Sequence, residues 1–458
     1  MKAAVIGTGY VGLVTAVCLA HWGHEVMCVE ADGDKLARLR AGRAPILEAQ
    51  VEELMLQNAE RLTYTDDCGS ACADAQAVFL CVGTPEREDG SANLTYVLQA
   101  AEQLARAARH DCVCVVKSTV PVGTNDKLEQ LFLQTASRDV HIEVASNPEF
   151  LSQGTAVRDF LSGPRVVCGV KSAYGETVLR ALYAQYAGQV IVTDCRSAEM
   201  IKYASNNFLA LKISYINEIA NLCGAIGADV DTVAYGMGLD PRIGPQFLRA
   251  GIGYGGSCFP KDTKALQKLA RNYGCELKTV KAAIEVNERQ KLILLKRARS
   301  YYRSLKGKTV AILGLTFKPG TDDLRSAPSL QILPELLRKG ASVRAWDPAG
   351  CEHMKAIHPH QVTYCGELED AVDGADLCMI LTDWQQIRDF SPENYAKLMR
   401  RPVVLDGRNC YSLAAAQEAE ILYESVGRRR VMPDREVSLV PAHRAAAHGR
   451  IEASPAVL

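Results

Sequence analysis

The feature that most constrains this chain is a glycine motif in its first twelve residues. The motif reads Gly7-Thr8-Gly9-Tyr10-Val11-Gly12, follows the apolar run 3–6, and opens a stretch with helical spacing of apolar residues. The glycines permit a tight turn, close approach of the backbone to a pyrophosphate, and close packing of helix on strand. The helix N-terminus then favours the phosphate charge. The motif therefore predicts a strand–turn–helix unit that binds a dinucleotide.

An acidic residue in register with the motif supports this prediction. Glu30 ends the next strand-like run, 18 residues after Gly12. A carboxylate there can hydrogen-bond both ribose hydroxyls and would repel a 2′-phosphate, so NAD is favoured over NADP. A glycine-rich turn in a signal peptide or in an ordinary strand–helix unit is the alternative interpretation of the glycines. The succession of strand, motif, helix, strand and acid favours the dinucleotide site.

The first part of the chain alternates short apolar runs with helical patterns, as parallel α/β sheets do. The predicted strands are 3–6, 25–29, 77–82, 112–117, 142–145 and 166–170. In open sheets of this kind, ligands bind beyond the carboxyl ends of the strands. We therefore expect an α/β Rossmann domain that binds NAD over residues 1–196.

The pattern changes at Ser197, which can cap a helix that runs to Gly227 and is about 43 Å long. Such a helix suits a connector between domains, and we assign residues 197–300 to a central helical domain. A second α/β domain is predicted over 301–430, with strands at 309–313, 342–346, 377–381 and 403–405. Residues 431–458 show no periodicity, which predicts a disordered tail.

Composition limits the classes of partner. The 458 residues suggest about three domains, and 52 basic against 53 acidic residues leave a net charge of −1. No global basic field therefore favours nucleic acid or an acidic membrane, and no run reaches the roughly 18 apolar residues of a membrane span. We expect a small-molecule partner, no nucleic acid and no membrane.

The 16 cysteines show no CxxC spacing. Most are better interpreted as small buried hydrophobes in a reducing compartment than as disulfides or metal ligands. We therefore expect a cytoplasmic protein without a metal site. A reactive cysteine must be argued from its surroundings.

One cysteine stands out by its surroundings. Cys258 follows a run with four glycines in six residues, 251–256, and a helical pattern resumes at Asp262. The glycines leave backbone N–H groups free to approach phosphates. A helix N-terminus and Lys261 would both favour the thiolate. A buried structural cysteine beside a mobile loop is the alternative, and the loop alone does not separate the two.

Polar residues on the predicted long helix point to the same place. Lys202 and Asn206 are four residues apart, hence on one face, among apolar neighbours. If they are buried they need partners or a ligand; a solvated stripe with a snorkelling lysine is the alternative. Glu149 and Thr119 directly follow predicted strands, where each could also be an ordinary loop residue.

Together these motifs resemble those of the UDP-glucose/GDP-mannose dehydrogenase family, from Gly7 to about Arg430. The most specific segment is Gly-Tyr-Gly-Gly-Ser-Cys-Phe-Pro-Lys-Asp at 253–262, and segments 201–209 and 313–318 also match. The resemblance implies an N-terminal NAD domain, a central dimer-forming helical region, and a C-terminal Rossmann-like domain for the UDP part of the substrate.

The resemblance also implies roles for individual residues. Cys258 would be the nucleophile, Lys202, Asn206 and Asp262 would serve the transition states, and Glu149 and Thr119 would handle water or protons. The implied cofactor contacts are Gly7, Gly9, Tyr10, Val11, Gly12, Glu30, Lys35, Thr84, Thr119, Gln153, Lys261 and Arg325. The implied substrate contacts are Glu149, Phe150, Leu151, Lys202, Asn206, Arg242, Phe247, Leu248, Arg249, Ala250, Gly251, Gly255, Lys318 and Arg408. The family's arginine at the position of Arg242 reaches a neighbouring subunit's site, which implies a homodimer or larger homo-oligomer.

Two residues depart from the family pattern. Gln153 stands where many relatives have glutamate, which leaves Glu149 as the stronger candidate for an essential acid. Glu30 stands where many relatives have aspartate, and its extra methylene should still let it reach a ribose.

The resemblance implies a four-electron oxidation of a sugar C6 alcohol to a carboxylate, with two NAD⁺ and a covalent intermediate on Cys258. UDP-glucose is the expected substrate, and GDP-mannose or another nucleotide hexose is the alternative. A two-electron hydroxyacid dehydrogenase needs a lysine and an asparagine but no cysteine. A non-catalytic scaffold that senses NAD is less favoured, because the charged site residues are all present.

Overall fold

The computed structural model describes residues 1–433, which form two largely parallel sheets with helices between and around them. Most of the predicted tail, 431–458, lies outside the described residues. Val431, the first residue of that tail, is buried and forms an antiparallel bridge with Tyr423. The ordered chain therefore continues beyond Arg430.

The first sheet has eight strands in the order β3-β2-β1-β4-β5-β6-β7-β8. The strands are β1 Lys2–Ile6, β2 Glu25–Val29, β3 Leu62–Thr65, β4 Ala77–Leu80, β5 Cys112–Val116, β6 Ile142–Ser146, β7 Arg165–Gly169 and β8 Gln189–Thr193. All neighbours pair in parallel except β6 and β7, which meet in antiparallel fashion at one residue pair. Every residue of β4 and β5 is buried, as expected for apolar strands covered on both faces.

Helices cover both faces of this sheet. They are α1 Tyr10–His21, α2 Gly33–Arg40, α3 Val51–Gln57, α4 Cys68–Ala73, α5 Thr95–Ala107, α6 Thr124–Thr135, α7 Ala156–Ser162 and α8 Ala173–Leu182, with a short 3₁₀ helix at Ala59–Arg61. One apolar core lies under α1, α3 and α7, and a second lies under α4, α5 and α6. The doubly wound Rossmann fold is thus confirmed.

A 32-residue helix, α9 Cys195–Ile226, leads out of the first domain. Its start differs from the prediction, because the side chain of Asp194, not Ser197, caps it; Ser197 is instead the residue whose N–H donates to Asp194 Oδ1 at 2.9 Å. Its end is as predicted, since Gly227 follows in the left-handed conformation with φ of 81°. At 1.5 Å per residue the helix is about 48 Å long.

The central region contains four further helices, α10 Val230–Gly238, α11 Phe259–Asn272, α12 Lys278–Lys291 and α13 Ile293–Ala298. Helix α9 packs against α10, α11 and α12. Ile216, Ala220 and Cys223 in its carboxyl-terminal half belong to a core that also contains residues of the second sheet. The long helix therefore connects the two sheet domains by packing, as well as by chain continuity.

The second sheet has six parallel strands in the order β11-β10-β9-β12-β13-β14. They are β9 Thr309–Leu313, β10 Ser342–Trp346, β11 Val362–Tyr364, β12 Leu377–Ile380, β13 Val403–Asp406 and β14 Leu422–Ser425. The surrounding helices are α14 Ser329–Arg338, α15 Cys351–Ile357, α16 Leu368–Val372, α17 Gln385–Asp389, α18 Pro392–Leu398 and α19 Leu413–Glu418. All ten predicted strands are present within about two residues of their predicted ends. The prediction missed β3, β8, β11 and β14.

Among residues 1–433, no helix is long and apolar enough to cross a membrane. The same residues contain no cluster of three histidine, cysteine, aspartate or glutamate side chains placed to hold a metal ion.

Candidate active site

A cavity of about 860 Å³ lies between the two sheets and against α9. Segment 148–153, which follows β6, forms one wall, and Phe317 and Lys318, which follow β9, form another. Segment 253–259 and the α9 residues Lys202 and Asn206 complete the lining. The cavity has the volume of a small-molecule site and lies where such sheets place their ligands.

Cys258 occupies the N-cap position of α11 and faces this cavity. Its side chain is exposed on the cavity side, with Ser257 Oγ 3.7 Å from its sulfur. The turn before it requires glycine at position 256, where φ is 82° and a Cβ would lie 2.9 Å from the ring of Phe317. The glycine run thus lets the chain turn sharply beneath Phe317 and present the cysteine.

The charge state of Cys258 corrects one expectation. Enclosure by protein raises the pKa of the thiol above its ordinary value, the charge of Glu149 raises it further, and Lys202 opposes both. Lys261, expected to favour the thiolate, instead donates to Asp262 Oδ1 at 2.7 Å. The prediction of a lowered pKa was therefore wrong, because desolvation of the thiol, together with the charge of Glu149, outweighs the opposing effect of Lys202.

Lys202 and Glu149 form a buried ion pair beside the cysteine. Lys202 Nζ donates to Glu149 Oε1 at 2.8 Å, and the two side chains are 4% and 6% exposed. Burial opposes the charge on Lys202, but Glu149 and its other acidic neighbours leave its pKa raised. Burial also opposes the charge on Glu149, but Lys202 leaves its pKa lowered. Both groups are thus held in their charged forms, and the snorkelling alternative for Lys202 is excluded.

Asn206 leads to a second buried carboxylate. Its Nδ2 donates to Asp262 Oδ2 at 2.7 Å, and both residues are buried. Asp262 also accepts from Lys261, so its two oxygens are both engaged. Asp262 therefore does not line the cavity itself, but it is hydrogen-bonded to Asn206, which does. One N–H of the Asn206 amide remains for a ligand, since the amide carries two.

The expected substrate segment, 247–251, divides into cavity residues and supporting residues. Phe247, Arg249 and Ala250 line the cavity. Leu248 is instead part of the apolar core beside the second sheet. Gly251 is buried and held by its backbone, since its N–H donates to Asn217 Oδ1 at 2.8 Å.

Three cations border the cavity from the side of the second domain. Lys318 Nζ donates to the carbonyl of Gln153 at 2.6 Å, which links the two sheet domains. Arg249 pairs with Asp383 at 2.9 Å and donates to the carbonyl of Arg408. Arg408 is enclosed enough that desolvation lowers its pKa. These cations form a positively charged wall suited to an anionic ligand.

The glycine motif forms a cradle that fits a dinucleotide. A Cβ at position 12 would lie 1.8 Å from the carbonyl of Gly7, so the first turn of α1 closes only with glycine. A Cβ at Gly9 would meet nothing within 4 Å, and no side chain caps α1, so its first N–H groups are open to a phosphate. Glu30 lies at the same turn, accepting from Thr8 and from the N–H of Asp32.

The other expected cofactor residues lie at three places. Thr84 bridges Thr119 and Lys261, donating to the carbonyl of Thr119 at 2.9 Å and lying 3.4 Å from Lys261 Nζ. Gln153 and Arg325 meet at Asp323, to which both donate. Tyr10 donates to Asp322 and Val11 is half-buried in the first turn of α1, whereas Lys35 is exposed at the first turn of α2.

Arg242 lies outside the cavity. Its side chain is 87% exposed and pairs with Asp240 at 2.6 Å. Phe150 and Leu151 line the cavity, and the ring of Phe150 has the guanidinium carbon of Arg165 at 4.1 Å and Lys202 Nζ at 5.4 Å from its centre.

The sequence analysis missed a buried lysine at this site. Lys117 lines the cavity and donates to Asn147 Oδ1 at 2.9 Å and to the hydroxyl of Tyr183 at 3.2 Å. Lys117 is the last residue of the predicted strand 112–117 and stands two residues before the candidate Thr119, and this position was a signal that could have revealed it.

The fold and the site define a class. Two doubly wound domains, one with an open dinucleotide cradle and one with a cationic wall, face a cavity that holds a cysteine, a lysine–glutamate pair and an asparagine. This arrangement is that of a nucleotide-dependent oxidoreductase. Residues 1–187, 196–289 and 311–413 match the NAD binding, central and UDP binding domains of the UDP-glucose/GDP-mannose dehydrogenase family. The chain belongs to this family, and its first domain binds NAD.

Similar proteins support this assignment over the whole length. UDP-glucose 6-dehydrogenase YwqF of Bacillus subtilis is 48% identical, over 94% of this chain and 99% of that protein. UDP-glucose 6-dehydrogenase of Pseudomonas aeruginosa is 44% identical, over 94% and 98%. The structure of a UDP-glucose dehydrogenase from Pyrobaculum islandicum superposes with a TM-score of 0.88 at 38% identity, covering 93% of this chain and 97% of that one.

Proposed function

We propose that this chain oxidises the C6 hydroxymethyl group of UDP-glucose to a carboxylate, as a UDP-glucose 6-dehydrogenase. The observation that carries the proposal is the meeting of Cys258, the Lys202–Glu149 ion pair and Asn206 in one cavity. An alcohol-to-aldehyde oxidation needs no sulfur, whereas oxidation to an acid through a thioester needs a nucleophile at this place. The relatives named UDP-glucose 6-dehydrogenase favour this substrate over GDP-mannose.

The reaction balances in four steps. The C6 alcohol loses a hydride and its hydroxyl proton and becomes an aldehyde. Cys258 sulfur bonds to the aldehyde carbon, its proton leaves, and the oxygen is protonated, which gives a thiohemiacetal. Loss of a second hydride and the hydroxyl proton gives a thioester. The oxygen of water then bonds to the acyl carbon as the carbon–sulfur bond breaks, which releases the carboxylate, the Cys258 thiol and one proton. When bound, NAD⁺ supplies the hydride acceptor for each oxidation.

Lys202 and Asn206 would stabilise the negative charge that develops on the C6 oxygen. Lys202 is held charged by Glu149, and Asn206 is oriented by its bond to Asp262, so both donors are fixed before the reaction. Donors fixed in a water-poor site stabilise such charge most effectively, because no reorganisation is needed during the step.

Carboxylates at the site would handle protons and water. Glu149 lies near Cys258 and is kept ionised by Lys202, so a carboxylate is available there to accept a proton from the thiol or from water. Asp262 would act through Asn206 and Lys261, which occupy its two oxygens. Thr119 would complete the water and proton contacts from the first domain.

The substrate's nucleotide end would lie against the second domain. Lys318, Arg249 and Arg408 form the cationic wall there, and cations of this kind bind diphosphates. The backbone of 247–251 and of Gly255 would contact the nucleotide and sugar, with Phe150 and Leu151 opposite. The residues proposed for NAD are the glycine cradle with Tyr10 and Val11, together with Glu30, Lys35, Thr84, Thr119, Gln153, Lys261 and Arg325.

A homodimer is the proposed assembly. Phe208, Tyr215 and Leu222 recur every seven residues on α9 and are 61%, 48% and 55% exposed. Tyr235 and Leu239 on the neighbouring α10 segment are also exposed. An apolar surface of this extent favours burial against a second copy.

Exposed Arg242 would reach the partner's cavity in this dimer. Mixing inactive Arg242→Ala with inactive Cys258→Ser should then restore activity, since a mixed dimer contains one site with both residues intact. Failure of refolded mixtures to regain activity, with dimers present by light scattering, would remove Arg242 from the partner's site.

A reducing compartment such as the cytoplasm is the proposed location. All sixteen cysteines lie among the described residues and all are free thiols.

The decisive experiment measures NADH formed per sugar consumed. With limiting UDP-glucose and excess NAD⁺, we expect two NADH per sugar and a carboxylate product. One NADH per sugar would overturn the four-electron reaction, and none would overturn the activity. GDP-mannose, assayed in parallel, should be converted far more slowly; equal or faster conversion would transfer the assignment to that alternative.

A further inference from the structure

A buried carboxylate lies one turn before the catalytic lysine, outside the cavity. Glu199 on α9 is 2% exposed and does not line the cavity. Its Oε2 accepts from the N–H of Gly123 at 2.6 Å. Its Oε1 accepts from the N–H of Asn125 at 3.0 Å and from Asn125 Nδ2 at 2.8 Å. All three donors belong to the amino-terminal end of α6.

Glu199 serves α6 as a cap supplied from another helix. Helix α6 has no side-chain cap of its own, since Gly123 occupies the N-cap position in the left-handed conformation. The first N–H groups of a helix lack partners within it and carry partial positive charge. A carboxylate that accepts from two of them satisfies the donors and interacts favourably with the helix dipole. The start of α6 is thereby tied to α9.

This tie fixes the segment we call the Thr119 loop, residues 117–123 between β5 and α6. At its first end, Lys117 is held by Asn147 and Tyr183. In its middle, the carbonyl of Thr119 accepts from Thr84. At its last end, the only side chain that bonds the loop's backbone to α9, among the described contacts, is Glu199. Glu199 thus helps to fix the position of the Thr119 loop relative to Lys202 on α9.

The charge of Glu199 has no basic partner among the described ion pairs, so burial raises its pKa, to about 7. The N–H donors at Gly123 and Asn125 lower it and the charge of Asp126 on α6 raises it. Asp126 itself is paired with Lys171 and Arg196. On α9, Glu199 faces Cys195 and Tyr203, and Tyr203 also lies in the field of Asp262 on α11. The carboxylate is therefore ionised above about pH 7 and becomes neutral below it.

We propose that Glu199 is a positioning residue that holds the Thr119 loop against the catalytic helix, and that protonation of Glu199 loosens this loop and weakens NAD binding. Ionised Glu199 accepts with both oxygens at full strength. The neutral acid accepts more weakly, because charge-assisted hydrogen bonds are roughly twice as strong as neutral ones. The inference rests on the proposed contact of Thr119 with NAD.

Hydrogen exchange on the wild-type protein tests the loop directly and needs no activity. The peptide covering residues 117–125 should lose protection as pH falls through about 7, after correction for the intrinsic exchange rate. The start of α8 offers an internal control, because buried Glu143 accepts there from the N–H groups of Ser172 and Gly175. Protection of that peptide should stay constant from pH 6 to pH 8. Constant protection in both peptides would overturn the proposal.

Glu199→Gln and Glu143→Gln form a matched pair of variants. Both replace a buried, helix-capping carboxylate by its neutral isostere, and only the first touches the Thr119 loop. For Glu199→Gln we expect KM for NAD⁺ to rise about tenfold at pH 8, with kcat changed less, as for loss of one charge-assisted hydrogen bond. Its KM should no longer vary between pH 6 and pH 8, whereas the wild-type KM should rise as pH falls. Glu143→Gln should keep the wild-type profile.

The outcomes separate this inference from the proposed function. Absence of NADH from UDP-glucose in the wild type would overturn the function, while the exchange experiment still decides the inference. If a folded Glu199→Gln variant showed the same dependence of KM for NAD⁺ on pH as the wild type, the inference would be overturned and the function would stay intact. If Glu199→Gln fails to fold, Asn125→Ala, which removes one of the three donors and leaves the charge, should raise KM for NAD⁺ by a smaller factor. An unchanged KM in that variant would overturn the inference.

Discussion

The two sheets have the same strand order around their first strands and the same first turn. They differ in what is bound by the acidic residue that follows the second strand, Glu30 in the first sheet and Asp347 in the second. The chain order 3-2-1-4-5-6 occurs in both. After each first strand comes a glycine whose N–H donates to the last residue of the second strand, Gly7 to Val29 at 2.9 Å and Gly314 to Trp346 at 2.8 Å. The backbone geometry of the first turn is therefore repeated.

The acids that follow the second strands differ in what they bind. Asp347 is buried and its Oδ2 accepts from the N–H groups of Leu315 and Thr316. Its Oδ1 accepts from the N–H groups of Ala349 and Gly350, and Trp384 Nε1 donates to Oδ2. Glu30 is half-buried and accepts only from Thr8 and Asp32 among the described hydrogen bonds. The first acid stays accessible to a ligand, whereas the second closes its own turn.

This difference shows how one topology supports two kinds of ligand contact. In the first domain the open turn and its acid are left for NAD. In the second domain Asp347 occupies the N–H groups that would otherwise bind a phosphate. A nucleotide must therefore be held by groups beyond the turn, and Lys318 and Arg408 stand there. Function follows from the site and not from the strand order.

The largest expected effect concerns the proposed nucleophile, Cys258, which belongs to neither sheet. Cys258→Ser should lower steady-state formation of carboxylate by about 10³-fold or more, because the thioester cannot form at a useful rate. Product analysis by mass spectrometry should show arrest at a covalent or aldehyde stage. Cys275→Ser, at the other exposed cysteine, is the control and should keep full activity. Undiminished turnover in Cys258→Ser would exclude it as nucleophile.

The second test contrasts the two acids by isosteric substitution. Asp347→Asn should lower the free energy of unfolding by about 3 kcal/mol, because buried N–H donors lose a charged acceptor, and KM for NAD⁺ should be unchanged. Glu30→Gln should raise KM for NAD⁺ by about tenfold with little change in stability. Denaturant unfolding and kinetics on both variants provide the measurement. If the two effects were exchanged or equal, the comparison of the sheets would be wrong.

The third prediction concerns pH. Enclosure and the charge of Glu149 raise the pKa of Cys258, so the thiol is neutral at pH 7 and the thiolate fraction grows with pH. Alkylation of Cys258 by iodoacetamide should accelerate by about tenfold per pH unit until the raised pKa is reached. In Glu149→Gln the pKa should fall, and the alkylation curve should move to lower pH. A wild-type curve with its midpoint well below 8.5, the usual thiol value, would contradict the raised pKa.

The smallest effect concerns the wall of the second domain. Lys318→Met should raise KM for the nucleotide sugar by about fivefold and leave KM for NAD⁺ unchanged, since its Nζ is already shared with the Gln153 carbonyl. Lys339→Met, at the end of α14, is a charge-matched control and should change neither constant. A larger change in KM for NAD⁺ than for the nucleotide sugar would mean that Lys318 contacts the cofactor and not the sugar substrate.

The sequence revealed the interior of both sheets but not their edges. The central strands are continuous apolar runs, and all residues of β5 and β12 are buried. The missed β3 and β8 lie at the two edges of the first sheet, and only Leu62 among their residues is buried. The missed β11 and β14 are the edges of the second. Strands β3, β8 and β11 each have partly solvated residues and so need no long apolar run. Three of the four residues of β14 are buried, but the strand is too short to give a long apolar run.

The place of a side chain in the site was predictable where the spacing along one helix determines it. It was not predictable where the interaction partner is distant in the sequence. Lys202 and Asn206 share a face because they are four residues apart, and the structure places both at the cavity. The caps were missed, because Asp194 and Ser197 are equally good candidates in sequence. The pKa of Cys258 depends on its burial and on the charge of Glu149, more than a hundred residues earlier in the chain. No local sequence pattern shows that these two residues lie close together.

The continuity of α9 has a consequence for how the protein unfolds. Its first half packs against β6 and β7, and its second half lies in the core of the other sheet domain. Melting either half removes apolar contacts from a core and also shortens the helix that the other core contains. The two domains should therefore lose structure together, in one cooperative calorimetric transition, although each has a core of its own. Helix α9 thus makes the two nucleotide-binding halves a single thermodynamic unit.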